Sequence, residues 1–246
     1  MIDLSLPPRG HRVPAEGDVD EAVCCHCVVS RWSVLVPAKR LAAAKTRMRP
    51  FTGHPAGRSL PHESLVLALL ADTVRAALAS SLVAEVVVVT DEPAAADLVA
   101  RLGARPLGGE PGGGLNAALE YGARSVEGPA VAALLADLPA LTPDELTAAL
   151  AAAQAPRCFV PDHQGAGTTL LTAVGTPLRP RFGRGSSAAA HQADGVVPLA
   201  GAWPGLVRDV DTPEDLRAAV ALGVGPATTA LLAASPTLAV HLGAAR

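Results

Sequence analysis

The chain has 246 residues, half of them apolar and 17% charged, with a formal net charge of -3. A chain of this size can bury a large core, and its balanced charge argues against a broad contact with nucleic acid or an anionic membrane. Aromatic residues form only 2% of the chain, too few to stack the successive bases of a single strand. We therefore expect no nucleic acid and no membrane as partners.

Residues 1–30 are rich in proline, glycine and charge and have no periodicity, which predicts a disordered N-terminal extension. The extension contains Cys24, Cys25 and Cys27 around His26. This cluster could ligate zinc or be incidental, because no second pair of ligands follows it at a useful spacing. No apolar run in the chain is long enough for a membrane-spanning helix, so we expect a cytoplasmic protein.

From Trp32 onward, short β-branched runs alternate with Ala- and Leu-rich stretches, a pattern typical of a mainly parallel sheet covered by helices on both faces. The prediction is a single-domain α/β fold with a Rossmann-like mixed sheet at residues 31–228, followed by a peripheral tail at 229–246. The predicted strands are residues 33–36, 85–90, 105–107, 130–135, 159–161 and 170–174. The predicted helices are residues 63–78 and 93–102, with others beginning near Leu115, Pro143 and Pro213.

Capping signals mark two of these helices. Thr142 with Glu145 three residues later forms a capping box, and Thr212 with Gly223 delimits the last clear helix. After Gln154 the short strands surround a Gly-rich turn, which we interpret as a lid and acceptor site.

A basic loop follows the first strand. It places Lys39, Arg40, Lys45 and Arg47 within nine residues, and ligands of open α/β sheets bind beyond the carboxyl ends of the strands. Cations at this position suit a triphosphate, although a basic turn exposed to solvent is the alternative.

Three aspartates follow apolar segments. Asp137 comes directly after a predicted central strand, while Asp209 and Asp211 lie two residues apart and share a face if extended. Carboxylates that converge on one cleft suit Mg²⁺, which keeps substrate phosphates among its ligands. The alternative is that Asp137 caps a turn and Asp211 supports the last helix cap.

Two Gly-rich turns carry hydroxyl residues, at 165–169 (GAGTT) and 181–187 (RFGRGSS). Such turns can present backbone N–H groups to an anion, or be ordinary turns. Asn116, beside the GGEPGGG loop at 108–114, could read a purine base or cap its helix.

Five segments together resemble one protein family. They are VPAKRLAAAKTRM (36–48), ADLPAL (136–141), GAGTTLL (165–171), RFGRGSSAAAH (181–191) and GAWPGLVRDVDTPEDL (201–216). The chain is similar to the phosphoenolpyruvate or 2-phospho-L-lactate guanylyltransferases of deazaflavin coenzyme F420 biosynthesis, in their actinobacterial branch. This resemblance implies the glycosyltransferase-A-like nucleotidyltransferase fold, with GTP and phosphoenolpyruvate as substrates and possible delivery of the product to a downstream transferase.

The resemblance also implies roles for individual residues. Asp137, Asp209 and Asp211 would hold Mg²⁺. Lys39 and Lys45 would act in catalysis by holding the nucleotide phosphates. Asn116 is a candidate for the nucleotide site only from its place beside the GGEPGGG loop. Thr168, Gly183 and Ser186 would bind the phosphate of phosphoenolpyruvate.

One departure from the family pattern is Ala136, which stands where the family usually has glycine. Related guanylyltransferases for the molybdenum cofactor begin with a Gly-rich loop, which is absent here. A non-catalytic nucleotide-binding protein should have lost one of the three aspartates, all of which are present.

Overall fold

Seven strands and seven helices make up the part of the chain that the computed structural model describes, which is residues 31–38, 48, 62–183 and 186–235. The strands are β1 (Trp32–Pro37), β2 (Val83–Val89), β3 (Arg105–Leu107), β4 (Ala130–Leu134), β5 (Arg157–Pro161), β6 (Thr168–Val174) and β7 (Val197–Pro198). The helices are α1 (His62–Ala79), α2 (Pro93–Leu102), α3 (Leu115–Ala123), α4 (Pro143–Ala152), α5 (Ser187–Ala193), α6 (Pro213–Leu222) and α7 (Pro226–Ala233).

The strands form one sheet in the order β3-β2-β1-β4-β6-β5-β7. Strand β1 pairs in parallel with β2 and β4, and β2 pairs in parallel with β3. Strand β6 runs antiparallel to both of its neighbours, β4 and β5. The predicted Rossmann-like mixed sheet is therefore confirmed, with β6 as its reversed strand.

The sheet is buried on both faces. Val34 and Val36 of β1 pack with α1, α2 and α4 in one core, whereas Leu35 packs with α3 and α5 in the core on the opposite face. A third cluster lies between α1, α6 and α7 and includes Val210 and Leu216. Strands covered on both faces are nearly all apolar, which is why the sequence shows continuous runs rather than alternation.

The predicted capping box at Thr142 and the predicted cap at Thr212 are present, and Thr212 also forms a capping box. The Thr142 side chain accepts a hydrogen bond from the Glu145 amide, and Thr212 does the same for Asp215, each with the reciprocal bond. The second carboxylate oxygen of Glu145 accepts from the Gly205 amide at 2.8 Å. At Gly205 a Cβ atom would collide with the Ala140 carbonyl, so only glycine permits this close approach.

Two predictions about organisation need correction. The segment after Gln154 does not form a separate lid, because β5, β6 and β7 extend the same sheet. The boundary predicted at residue 228 divides α7, and Leu232 of that helix is buried in the core. The reason is a tertiary contact: both carboxylate oxygens of the buried Asp72 in α1 accept from the amides of Ala227 and Thr228.

The proposed extension at 1–30 and its cysteine cluster lie outside the described residues. Within the described ranges, no single helix is long and apolar enough to cross a membrane. Helices α6 and α7 meet that criterion only as a pair, by length and composition, and are bent by 114° relative to each other.

Candidate active site

The carboxyl ends of six strands lie at one edge of the sheet, and this edge carries most of the predicted site residues. Because β6 runs in the opposite direction, its first residue, Thr168, lies at the same edge. The sheet order places the end of β1, then Asp137 after β4, then Thr168 in β6. Neighbouring strands are about 4.8 Å apart, so these positions follow one another along this edge of the sheet.

Backbone and side-chain bonds on both sides fix the turn that carries Asp137. Its carbonyl accepts from the Val210 amide at 3.1 Å. The next amide, that of Leu138, donates to the Thr73 hydroxyl at 2.9 Å. Thr73 is fully buried and donates in turn to the Leu69 carbonyl. Asp137 is 9% exposed, and these bonds hold its backbone at the end of β4.

The bond from Val210 also brings the Asp209-Val210-Asp211 segment to the same turn. Val210 is buried, while Asp209 is half-buried and Asp211 is exposed. A carboxylate oxygen of Asp209 lies 3.8 Å from Nδ1 of His163, whose Nε2 lies 3.8 Å from Asp215. Sequence alone did not connect His163 with these carboxylates.

The donor set suits a hard cation. Within the ranges that the structure describes, no three His, Cys, Asp or Glu side chains lie close enough to hold one ion. Carboxylate oxygens from Asp137 and the 209–211 segment are nonetheless the ligand type of Mg²⁺, which takes one or two carboxylates and completes its shell with phosphates and water. Only the type of donor atom matches Mg²⁺, so Mg²⁺ binding and the three-aspartate ligand set both stay predictions.

A cavity of about 420 Å³ lies at the ends of β1 and β2. In the sheet order, Thr168 in β6 lies on the opposite side of β4 from these two strands. The lining of the cavity includes Ala38, Thr90, Asp91, Glu110 and Leu115. Its Gly-rich wall is held by a bond from the Gly109 amide to Asp91, at 2.7 Å. The volume and concave shape are those of a small-molecule site.

The predicted phosphate ligands of the basic loop, Lys39 and Lys45, lie outside the described residues. Lys39 directly follows Ala38, which lines the cavity. The basic loop therefore follows a cavity-lining residue directly in the sequence.

Of the predicted acceptor residues, Thr168 contacts His191 directly, whereas Gly183 follows Arg181 by two residues and Ser186 begins the helix that carries His191. Its Nδ1 lies 3.0 Å from the Thr168 hydroxyl, and its Nε2 accepts from the Arg181 amide at 3.0 Å. Ser186 caps α5, since its hydroxyl accepts from the Ala189 amide, and Ser187 donates to the Thr168 hydroxyl. Thr168 is buried, while Gly183 and Ser186 are exposed.

Charge and burial set the protonation of this region. Burial lowers the pKa of His191 to about 4, despite the opposing effect of Asp194. A hydrogen bond from Arg181 lowers the pKa of Asp194, and the same bond raises the pKa of Arg181. His191 is therefore neutral near pH 7.

Asn116 does not cap its helix, because Gly114 is the N-cap of α3. Its side-chain amide instead donates to the Phe182 carbonyl and accepts from the Phe182 amide, both at 2.8 Å. These bonds fix the backbone next to Gly183. One amide hydrogen of Asn116 remains for another partner, and its role in reading the base stays a prediction.

Comparison with known proteins places this site in a family. A profile described as the MobA-like NTP transferase domain matches residues 58–200. A phosphoenolpyruvate guanylyltransferase of Geodermatophilus obscurus is 67% identical over 212 residues, which cover 85% of this chain and 98% of that protein. One from Salinispora arenicola is 51% identical over 84% of this chain and 96% of its own length.

The chain belongs to the phosphoenolpyruvate guanylyltransferase family. It is therefore a nucleotidyltransferase, as the resemblance in sequence implied.

Solved structures confirm the fold of this guanylyltransferase family member. A nucleotide-diphospho-sugar transferase from Desulfovibrio desulfuricans G20 has a TM-score of 0.65 at 17% identity, covering 87% of this chain and 98% of its own. A nucleotidyl transferase from a Methanothermobacter species has a TM-score of 0.56 at 20% identity, covering 78% of this chain and 97% of its own. At these identities the likeness concerns the fold alone.

Three residues that contact the predicted site segments had no clear signal in the sequence. Thr73, His163 and His191 each reach these segments from a distant part of the chain. For His191, the available signal was its place at the end of the RFGRGSSAAAH segment. Its bonds to Thr168 and Arg181 depend on how α5 packs against β6, which local sequence does not specify.

Proposed function

We propose that the chain transfers GMP from GTP to phosphoenolpyruvate in coenzyme F420 biosynthesis. The products are enolpyruvoyl-2-diphospho-5'-guanosine and pyrophosphate. The observation that carries the proposal is the order of features along the sheet edge, with a nucleoside-sized cavity at β1 and β2, Asp137 at β4, and the Thr168 hydroxyl at β6. This order supports a nucleotide and an acceptor on opposite sides of one carboxylate, and the chain is 67% identical to a phosphoenolpyruvate guanylyltransferase.

The cavity beside Ala38 is the proposed nucleoside site. The guanosine would occupy it, with its triphosphate directed along the edge toward Asp137 and the basic loop that contains Lys39 and Lys45. Lysines at the phosphates would offset the negative charge that two anionic substrates bring together.

The acceptor would lie between Thr168 and the 181–186 segment. Thr168, Gly183 and Ser186 offer a hydroxyl, a backbone amide and a second hydroxyl, which are neutral donors suited to a phosphate. Holding the acceptor beside the α-phosphate turns a bimolecular encounter into a positioned reaction, and this effect contributes a large part of the acceleration.

The reaction forms one phosphorus–oxygen bond and breaks another. An ionised phosphate oxygen of the acceptor attacks the α-phosphorus of GTP, and pyrophosphate leaves with the electron pair of the bond to the β-phosphate. The attacking oxygen carries no proton at neutral pH, so the step needs no general base. The residues of the chain therefore bind and orient the substrates and balance their charge.

Mg²⁺, held by Asp137 together with Asp209 and Asp211, would supply charge neutralisation at the phosphates. The turn bonds from Thr73 and Val210 hold Asp137 at the cleft, and His163 lies against Asp209. A cytoplasmic location and delivery of the product to a downstream transferase belong to the same proposal.

The test is pyrophosphate release from GTP and Mg²⁺ with phosphoenolpyruvate, 2-phospholactate or 3-phosphoglycerate as acceptor. We expect release with phosphoenolpyruvate and a loss of about 100-fold or more in Asp137→Asn, because a charge aimed at the reacting phosphates is removed. Asp97→Asn, at an exposed position of α2, is the matched control and should keep wild-type activity.

The outcomes decide the identity of the acceptor, the reaction itself and the role of Asp137. Release only with 2-phospholactate would make the chain a 2-phospho-L-lactate guanylyltransferase. The absence of release with all three acceptors would contradict the proposed reaction, and full activity of Asp137→Asn would remove Asp137 from the metal site.

A further inference from the structure

The imidazole of His191 is enclosed on all sides and makes two directed hydrogen bonds. The residue is 0% exposed, and its ring centroid lies 5.7 Å from that of Phe159 and 5.3 Å from that of Phe182. Its two nitrogens face Thr168 and the Arg181 amide. Every polar atom of the ring therefore has a protein partner, and no water is needed to satisfy it.

The partners determine which nitrogen carries the proton. The Arg181 amide can only donate, so Nε2 of His191 must be the unprotonated acceptor. A neutral imidazole then carries its hydrogen on Nδ1, and that hydrogen is directed at the Thr168 hydroxyl oxygen, 3.0 Å away. Burial lowers the pKa of His191 to about 4 and so keeps this neutral form at physiological pH. Of the nearby charges, Asp194 raises the pKa of the ring, whereas Arg157 and Arg181 lower it.

The same bonds determine what Thr168 can do. Its hydroxyl oxygen accepts from His191 and from the Ser187 hydroxyl, at 3.0 and 3.2 Å. A hydroxyl has two lone pairs and one hydrogen, so both lone pairs are used. Among the described residues, the hydrogen of the Thr168 hydroxyl has no acceptor, and Thr168 begins β6 at the cleft edge. The hydroxyl is left as a hydrogen-bond donor to an anion in the cleft.

We propose that His191 is a positioning residue that fixes the Thr168 hydroxyl as a donor to the acceptor's anionic group, while its bond to Arg181 holds the backbone that leads to Gly183. The inference rests on the proposed function, since the anion is the phosphoenolpyruvate that the chain would guanylylate. His191 itself takes no part in proton transfer.

The kinetic test is a double-mutant cycle on Thr168 and His191. Thr168→Val removes the hydroxyl, His191→Leu removes both ring bonds, and His191→Asn keeps an N–H group near the position of Nδ1. We expect His191→Leu to raise the KM for phosphoenolpyruvate by about tenfold or more, because a hydrogen bond to a charged group is lost. The KM for GTP should change less than about twofold, and His191→Asn should recover part of the loss.

The cycle separates this role from a merely structural one. If His191 acts through the hydroxyl, His191→Leu should raise the KM for phosphoenolpyruvate less once Thr168 is valine than in the wild type. Only the part due to its bond with Arg181 should remain. Independent losses that multiply in the double variant, or an equal rise in the KM for GTP, would overturn the inference. Asp97→Asn, at an exposed position of α2, is the matched control and should keep the wild-type KM for phosphoenolpyruvate.

A second measurement uses the unmodified protein and needs neither turnover nor a folded variant. Nitrogen-15 NMR of the histidine rings should show His191 as the neutral tautomer with hydrogen on Nδ1 at pH 7. A tautomer with hydrogen on Nε2, or a charged ring, would overturn the inference even in an active enzyme. The absence of pyrophosphate release by the wild-type protein would instead contradict the proposed function, with the tautomer still deciding the state of His191.

Discussion

At the residue scale, a single buried imidazole connects the two segments of the proposed acceptor site. His191 bonds to Thr168 in β6 and to Arg181, which precedes the Gly183 segment. Protonation of Nε2 would place two N–H groups against each other, because the Arg181 amide has no lone pair to offer. The ring is therefore stable in this position only when it is neutral.

This arrangement predicts a pH dependence of stability. The pKa of His191 is lowered from 6.5 to about 4 in the folded protein, so the unfolded chain binds the proton more readily. The contribution of the neutral ring to the free energy of unfolding is then fully present above pH 6.5. It is lost as the pH decreases toward 4, and the loss amounts to at most about 3 kcal/mol. Urea unfolding at pH 7 and pH 4.5 measures the change.

His191→Asn is the control for this measurement, because asparagine does not titrate. Its free energy of unfolding should decrease less between the two pH values than that of the wild type. The carboxylates contribute a common background to both proteins. Equal decreases in the two proteins would contradict a lowered pKa at His191.

At the scale of elements, the last described helix is held by a side chain from the first. The carboxylate of Asp72 in α1 is 3% exposed and accepts from the amides of Ala227 and Thr228, which are in the first turn of α7. Helix α7 has no side-chain cap of its own, since Gly225 is its N-cap. An α1 residue thus performs the function of a helix cap across 155 positions of sequence.

Asp72→Ala should destabilise the protein by about 1–3 kcal/mol, because it leaves two amides at a buried helix terminus without their acceptor. Chemical denaturation followed by circular dichroism measures the loss. Asp97→Ala, at an exposed position of α2, should change stability by less than about 0.5 kcal/mol. Similar losses in the two variants would contradict the capping role of Asp72.

At the scale of the whole molecule, the sheet order makes one cleft from residues far apart in the chain. The cavity is formed at β1 and β2, and Asp137 follows β4. Of the proposed acceptor residues, Thr168 belongs to β6, while Gly183 and Ser186 precede α5. Insertion of the reversed strand β6 beside β4 brings the acceptor side next to Asp137. Ligand binding across this edge should stabilise the entire fold.

GTP with Mg²⁺ at about 100 times its Kd should stabilise the folded protein by about 2.7 kcal/mol. For a chain of this size that corresponds to a rise in Tm of about 5–10 °C. Thermal unfolding with GTP, in the presence of Mg²⁺ or of a chelator, measures it. In Asp137→Asn the difference between Mg²⁺ and chelator should be smaller, and an unchanged difference would contradict metal binding by Asp137.

Much of the fold was predictable because its signals are local. Apolar runs predicted strands such as β1 and β2, and Thr142 and Thr212 marked helix starts that the structure confirms. Helix α5 and the two-residue strand β7 were not predicted. Helix α5 is short and begins inside a Gly- and Ser-rich segment, and β7 exists only by pairing with β5.

By itself, the sequence determined the α/β class, the family and the position of Asp137 after a buried strand. Strand runs, capping residues and extended motifs can be recognised because each consists of residues that are adjacent in the sequence. Only the tertiary structure decided that Asn116 holds Phe182, that Asp72 caps α7, and that His191 is bonded to Thr168. Each of these contacts joins residues more than twenty positions apart. Their geometry depends on the packing of helices against the sheet and on the reversal of β6, which no local pattern specifies.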